Sequence, residues 1–161
     1  MGQTIFTTHF LCFGNRFYSA IWVRLPLKGY QFSKSLRKVI RRNSAHFRTA
    51  VAPASLTPEK EALYQKYRLS FSGILSPSLQ DSLLDGGEGN VYNTFEVTVR
   101  DKGKLVACSF FDLGHQSAAS ILGFYDPEYG SHSLGLYTML EEINFCQYQG
   151  MPYFFPGYVV P

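Results

Sequence analysis

The stretch "VYNTFEVTVRDKGKLVACSFFDL", residues 91–113, decides the fold. Its first ten residues alternate apolar and polar side chains, Asp101-Lys102-Gly103-Lys104 has the make-up of a tight turn, and an apolar run returns. This is the pattern of an antiparallel hairpin. Toward the C-terminus, "ASILGFYDP" (119–127) is a third strand stopped at Pro127. "SLGLYTMLEEINFCQYQG" (133–150) carries Leu136, Met139, Leu140, Ile143 and Cys146 at helical spacing, with Gly150 placed to end the helix. "PYFFPGYVV" (152–160) is a last strand broken by Pro156 and Gly157, where a bulge or splay is expected.

Toward the N-terminus, "DGGEGN" (85–90) is a loop; it lacks the lysine and the strand-loop-helix setting of a phosphate cradle. A short helix is expected around Leu79–Leu84. Before it, "LTPEKEALYQKYRLSF" (56–71) has Thr57 as N-cap, Pro58 at the first helical position and acids in the first turn, with Leu63, Tyr67 and Phe71 on one face. "FRTAVA" (47–52) is a short strand closed by Pro53, and residues 32–48, "FSKSLRKVIRRNSAHFR", form a helix capped by Ser33 or Ser35. Residues 1–32 are read as an N-terminal remnant holding a strand in "FYSAIWV" that turns at "LPLKG". Residues 33–161 are read as one α/β (α+β) domain with a mixed, mostly antiparallel sheet flanked by helices.

In the helix of residues 32–48, Lys34, Arg37, Lys38, Arg41 and Arg42 recur at the spacing of one helix face, while Leu36, Val39, Ile40 and Phe47 turn elsewhere. Residues 1–50 contain nine Lys or Arg and no Asp or Glu; residues 51–161 contain six against twelve. The net charge of +3 therefore conceals a one-signed field over the first third of the chain, suited to a polyanion and weakened by salt. The plainer alternative is a solvated basic surface.

Cys12, Cys108 and Cys146 are odd in number and widely spaced, which supports neither a disulfide framework nor a zinc site. A reducing, cytoplasmic setting is expected. His9, Arg16 and Arg24 interrupt the apolar N-terminus, so no membrane span is expected. "MGQTIF" has Phe6 where a myristoylation signal wants Ser or Thr, and no targeting signal is read.

Three sequential antiparallel strands, then a helix crossing to a strand parallel to the third, is the layout of the GNAT-like acyltransferase fold. "SKSLRKVIRRN", "LTPEKEALYQKY", "GKLVACSFFDLG", "SILGFYDPEYGSHSLGLYTMLEEI" and "GMPYFFPGYVVP", in order, resemble the C-terminal region of the arginyl-tRNA-protein transferases and their bacterial leucyl-transferring relatives. The most specific piece is Phe124-Tyr125-Asp126-Pro127 followed by Ser133-Leu134-Gly135. The resemblance implies a cytoplasmic enzyme that moves arginine or leucine from aminoacyl-tRNA to the N-terminal α-amine of an acceptor protein. It also implies that the basic helix serves RNA. The co-substrate is the aminoacyl-tRNA; no cofactor, metal or membrane partner is expected, and the protein is expected to be a monomer. The chain departs from the family pattern in lacking its N-terminal cysteine cluster. It has His132 where Arg usually precedes Ser-Leu-Gly, and Phe71-Ser72 where an Arg-His pair is usual. Relatives continue past the equivalent of Pro161, so the domain is read as short of its C-terminal elements.

Aminoacyl transfer needs no enzyme nucleophile, because the ester is activated and an α-amine of pKa ~8 attacks directly. The site must position, accept a proton and stabilise an oxyanion. Asp126, ending a strand ahead of a helix, is the candidate for orienting or deprotonating an ammonium; a turn Asp before Pro127 is the equal alternative. Tyr125, Ser120 and Tyr153 are candidate hydrogen-bond donors, or core residues. Ser133, Gly135 and His132 are placed to meet phosphate at a helix N-terminus. Two other functions fit the same sequence: an acyl-CoA N-acyltransferase with its slot at the Pro156-Gly157 break, and a catalytically inactive RNA- or protein-binding module.

Overall fold

The computed structural model describes residues 8–13, 16–84 and 92–159. In chain order these form β1 (Thr8–Phe13), β2 (Arg16–Pro26), α1 (Lys34–His46), β3 (Arg48–Pro53), α2 (Pro58–Ser70), α3 (Leu79–Leu84), β4 (Thr94–Asp101), β5 (Lys104–Leu113) and β6 (Ser117–Tyr125). A 3-10 helix (Pro127–His132), α4 (Leu134–Tyr148) and β7 (Tyr153–Val159) follow. The seven strands lie in the order β1-β2-β7-β6-β5-β4-β3. All neighbours are antiparallel except β6 and β7, which α4 joins in parallel. The expected mixed, mostly antiparallel sheet with its crossover helix is therefore present. Residues 8–26 add two strands to its β7 edge. The "DGGEGN" loop lies outside the described residues.

Local chemistry sets the element ends. Lys102 and Gly103 both take positive φ (48° and 97°), the primed geometry that matches strand twist and closes the β4–β5 hairpin in two residues. Thr57 caps α2 by accepting from the Lys60 N–H, with Pro58 in the first turn; Ser33 caps α1 by accepting from the Leu36 N–H. Gly150, at φ 73°, ends the run after α4.

The sheet buries both faces. On one face Val97, Phe111, Ala118 and Phe154 pack with Ile143 and Cys146 of α4; on the other Cys108, Phe110 and Phe124 pack with Leu63 and Tyr64 of α2 and Leu79 of α3. Leu136, expected on the inner stripe of α4, is 41% exposed, and Phe71, expected on the inner face of α2, caps that helix at 44% exposed. Helix periodicity drifts, and the buried stripe of α4 runs instead through Leu134, Thr138, Glu142 and Cys146 with Tyr137, Leu140 and Ile143 beside it. On the α2 side, Lys60 Nζ meets both Glu96 carboxylate oxygens at 2.6–2.7 Å and the Ser55 carbonyl and hydroxyl at 2.7 Å, while the Ser55 N–H donates to Glu96. This buried pair is fully hydrogen-bonded and ties α2 to β4.

Candidate functional site

The carboxyl end of β6 gathers several of the expected residues. Asp126 is 1% exposed and its carboxylate is already engaged: Oδ1 lies 2.7 Å from Lys66 Nζ, Oδ2 2.9 Å from Lys104 Nζ, and Oδ1 accepts the Glu128 N–H. Burial pushes its pKa up, but the Lys66 and Lys104 hydrogen bonds outweigh burial and hold the carboxyl below its ordinary range. A carboxylate so stabilised is a poor proton acceptor. Asp126 is the N-cap of the 3-10 helix and the anchor of two lysines. Tyr125, half-buried beside it, packs its ring near Gly135 and 5.2 Å from the Tyr67 ring.

Beyond the 3-10 helix, Ser133 takes a left-handed conformation (φ 55°) and α4 begins without a side-chain cap. Its first N–H groups are thus left to other partners. The cationic face of α1 stands next to this point. Arg42 donates to the His132 carbonyl at 2.8 Å and the Asn43 amide to the same oxygen at 3.0 Å. Lys34, Arg37, Lys38, Arg41 and Arg42 are all exposed, and the first four of them line an open depression with Ser33 and Ser35. His132 lies within this cluster, its side chain part-buried. Its ring stacks on His46 at 5.4 Å and meets Phe47 and Tyr129 edge-on or tilted, with Nδ1 buried and without a hydrogen-bond partner.

The break in the sheet lies between β6 and β7. Their pairing runs only through Ser117↔Tyr153, Ala118↔Phe154 and Ala119↔Phe155, although both strands continue. Opposite Val23 and Leu25 of β2, β7 carries an extra residue in the Phe155-Pro156 stretch, so the expected irregularity is present. β6 carries its own extra residue on the other side: Phe110 faces Leu122 and Phe111 faces Ser120, leaving Ile121 unpaired and 47% exposed. Bulges of this kind bend a strand away from its neighbour. Ser120 is the first β6 residue past the last β7 pair. Tyr153 sits at the other end: it pairs with Ser117, under the Arg24 guanidinium (4.4 Å), eight residues or roughly 26 Å of strand from Tyr125. Tyr153 therefore does not share a site with Tyr125 and Asp126.

Sequence reasoning missed the residue behind this gap. Glu142, on α4, is 0% exposed, and both its carboxylate oxygens lack hydrogen-bond partners, as does the buried Ser109 hydroxyl on β5. Burial pushes its pKa up to about 8, eased by the nearby hydroxyls of Ser109 and Ser120. The available signal was an acid at the i+4 position from Thr138 and i−4 from Cys146.

Residues 59–161 match the family model described as arginine-tRNA-protein transferase, C terminus. The chain belongs to that family. Among curated proteins it is 30% identical over 143 residues to the aspartate/glutamate leucyltransferase of Leptospira interrogans, covering 86% of this chain and 55% of that protein. It is 31% identical over 150 residues to that of Phenylobacterium zucineum, covering 88% and 58%. The chain thus spans little more than half the length of these relatives. Among solved structures, the C-terminal domain of a protein assigned as a lysylphosphatidylglycerol synthetase from Agrobacterium fabrum superposes with a TM-score of 0.64 at 15% identity. It covers 86% of this chain and 46% of that one. L-PGS from Bacillus licheniformis gives 0.55 at 12%, covering 96% and 46%. Both likenesses concern the fold alone. The family region takes in α2 through β7, hence Asp126, the start of α4, the β6–β7 gap and Glu142, whereas α1 precedes it.

Proposed function

We propose that the protein moves leucine or arginine from aminoacyl-tRNA to the N-terminal α-amine of an acceptor protein, working in the reducing cytosol without a resident cofactor. The observation that carries this reading is the junction of α1 and α4. Five exposed cations of an acid-free N-terminal segment run along α1, and the last of them, Arg42, reaches His132 just before the uncapped start of α4. Such a face suits phosphates, and helix N-termini attract anions. Family membership and relatives named as leucyltransferases supply the acyl chemistry. The carbonyl carbon of the aminoacyl ester is attacked by a neutral amine, a C–N bond forms and the bond to the ribose oxygen breaks, so the protein's task is placement and proton handling. Among the described residues no helix is long and apolar enough to cross a membrane.

The test is tRNA binding across a salt series. Replacing Arg37, Arg41 and Arg42 with Gln should weaken binding and flatten the slope of log affinity against log salt by roughly one for each phosphate no longer neutralised. An unchanged affinity and slope would leave these cations a solvated surface.

A further inference from the structure

We propose that Glu142 is the residue that receives the acceptor's α-ammonium group and takes its proton, at a buried cluster with Ser109, Ser120 and Thr138 approached from the gap between β6 and β7. This inference rests on the aminoacyl-transfer reading above and names the proton acceptor in it.

A carboxylate completely removed from water with no ion-pair partner among the described residues is costly to ionise, and native cores seldom keep one without use. The hydroxyls of Ser109, itself buried, and Ser120 lie beside it and favour its charged form. Thr138, one helical turn before Glu142, commits its hydroxyl to the Gly135 carbonyl. The groups acting on Glu142 are the Ser109 and Ser120 hydroxyls, and it in turn acts on the Cys108 and Cys146 thiols. None is cationic, so an incoming ammonium meets no competitor there.

The way in is built by residues without bulk. Gly123 is exposed and pairs across the sheet with Ser109; a Cβ at Gly123 would stand 3.6 Å from Ser109 Cβ and 3.9 Å from Thr138 Oγ1. The surface at Gly123 is therefore one side chain away from Ser109 and Thr138. Ile121, bulged outward, and the end of β7 pairing after Ala119 keep that approach open.

The protons balance. An α-ammonium has an ordinary pKa of ~8 and burial raises the Glu142 carboxyl to about 8, so Glu142 is partly ionised near neutrality and its ionised form pairs with the ammonium. Of its three protons, one remains on the new amide nitrogen and one reaches the departing ribose oxygen by way of Glu142. The third is released to water. No oxidant or other reactant is required.

The experiment follows the carbon-13 signal of the Glu142 carboxyl, assigned by its disappearance in Glu142→Gln, during a pH titration with and without a short peptide bearing a free N-terminal Asp. The signal should titrate near 8 alone and move toward lower pH with the peptide, but not with the N-acetylated peptide. In single-turnover transfer, Glu142→Gln should be slower by on the order of 10²-fold or more with unchanged tRNA affinity. Gly123→Val, which closes the approach while keeping Glu142, should slow transfer similarly. A carboxyl signal indifferent to the free amine, or one that answers only to a non-hydrolysable aminoacyl-adenosine, overturns the proposal. So does full-rate transfer by either folded variant. Failure of the parent protein to transfer at all is a different result, since it removes the transfer reading while the titration still reports on Glu142.

Discussion

Two buried carboxylates on either side of the α4 N-terminus have been pushed in opposite directions by their surroundings. Asp126 is held ionised by Lys66 and Lys104, whereas Glu142 has no countercharge and burial raises its pKa to about 8. For Asp126 the consequence for stability has a definite sign. Its folded pKa lies below the unfolded value, so its contribution is fully present above about 3.9 and is lost as the pH falls through the folded value. Asp126→Asn should therefore cost roughly 1–2 kcal/mol at pH 7, discounted because both lysines are half in water. The gap from the parent should close below about pH 3 in urea melts run across pH. Its transfer rate per folded molecule should stay near that of the parent, not fall by the ~10²-fold or more typical of a missing acid–base group.

At the scale of elements, what the residues announce locally is what the molecule does. The Thr57-Pro58 helix start, the Lys102-Gly103 turn and the Pro156-Gly157 break all depend on side chains within a few positions of the event, and each is legible in the sequence. Features set by pairing between distant segments are not. β2 owes its place to β7, more than a hundred residues later, and the Ile121 bulge exists only in the register between β5 and β6. The same distinction explains the site. The cations of α1 are visible in sequence, whereas the burial of Glu142 depends on which stripe of α4 meets the sheet. The Lys60–Glu96 pair is another non-local device, and it yields a prediction: Glu96→Ala leaves a buried ammonium with only Ser55 for company and should cost about 3–5 kcal/mol by chemical denaturation. Replacing both partners with apolar residues of similar volume should cost much less.

For the whole molecule, the charge asymmetry and the open sheet combine into one arrangement. The acid-free first 58 residues supply α1 and a strongly positive side, the more acidic remainder supplies the family region, and the two meet at the start of α4. An RNA laid along α1 would present its charged end toward the carboxyl edge of β6, where the parallel strands part and ligands of α/β sheets gather. The most direct measurement is single-turnover transfer from radiolabelled leucyl-tRNA and, separately, arginyl-tRNA to a peptide with an N-terminal Asp or Glu. The prediction is peptide-bound label from one of the two, abolished when the peptide is N-acetylated and reduced by the α1 Gln substitutions in step with tRNA affinity. Protein that binds tRNA tightly yet transfers neither amino acid would contradict it.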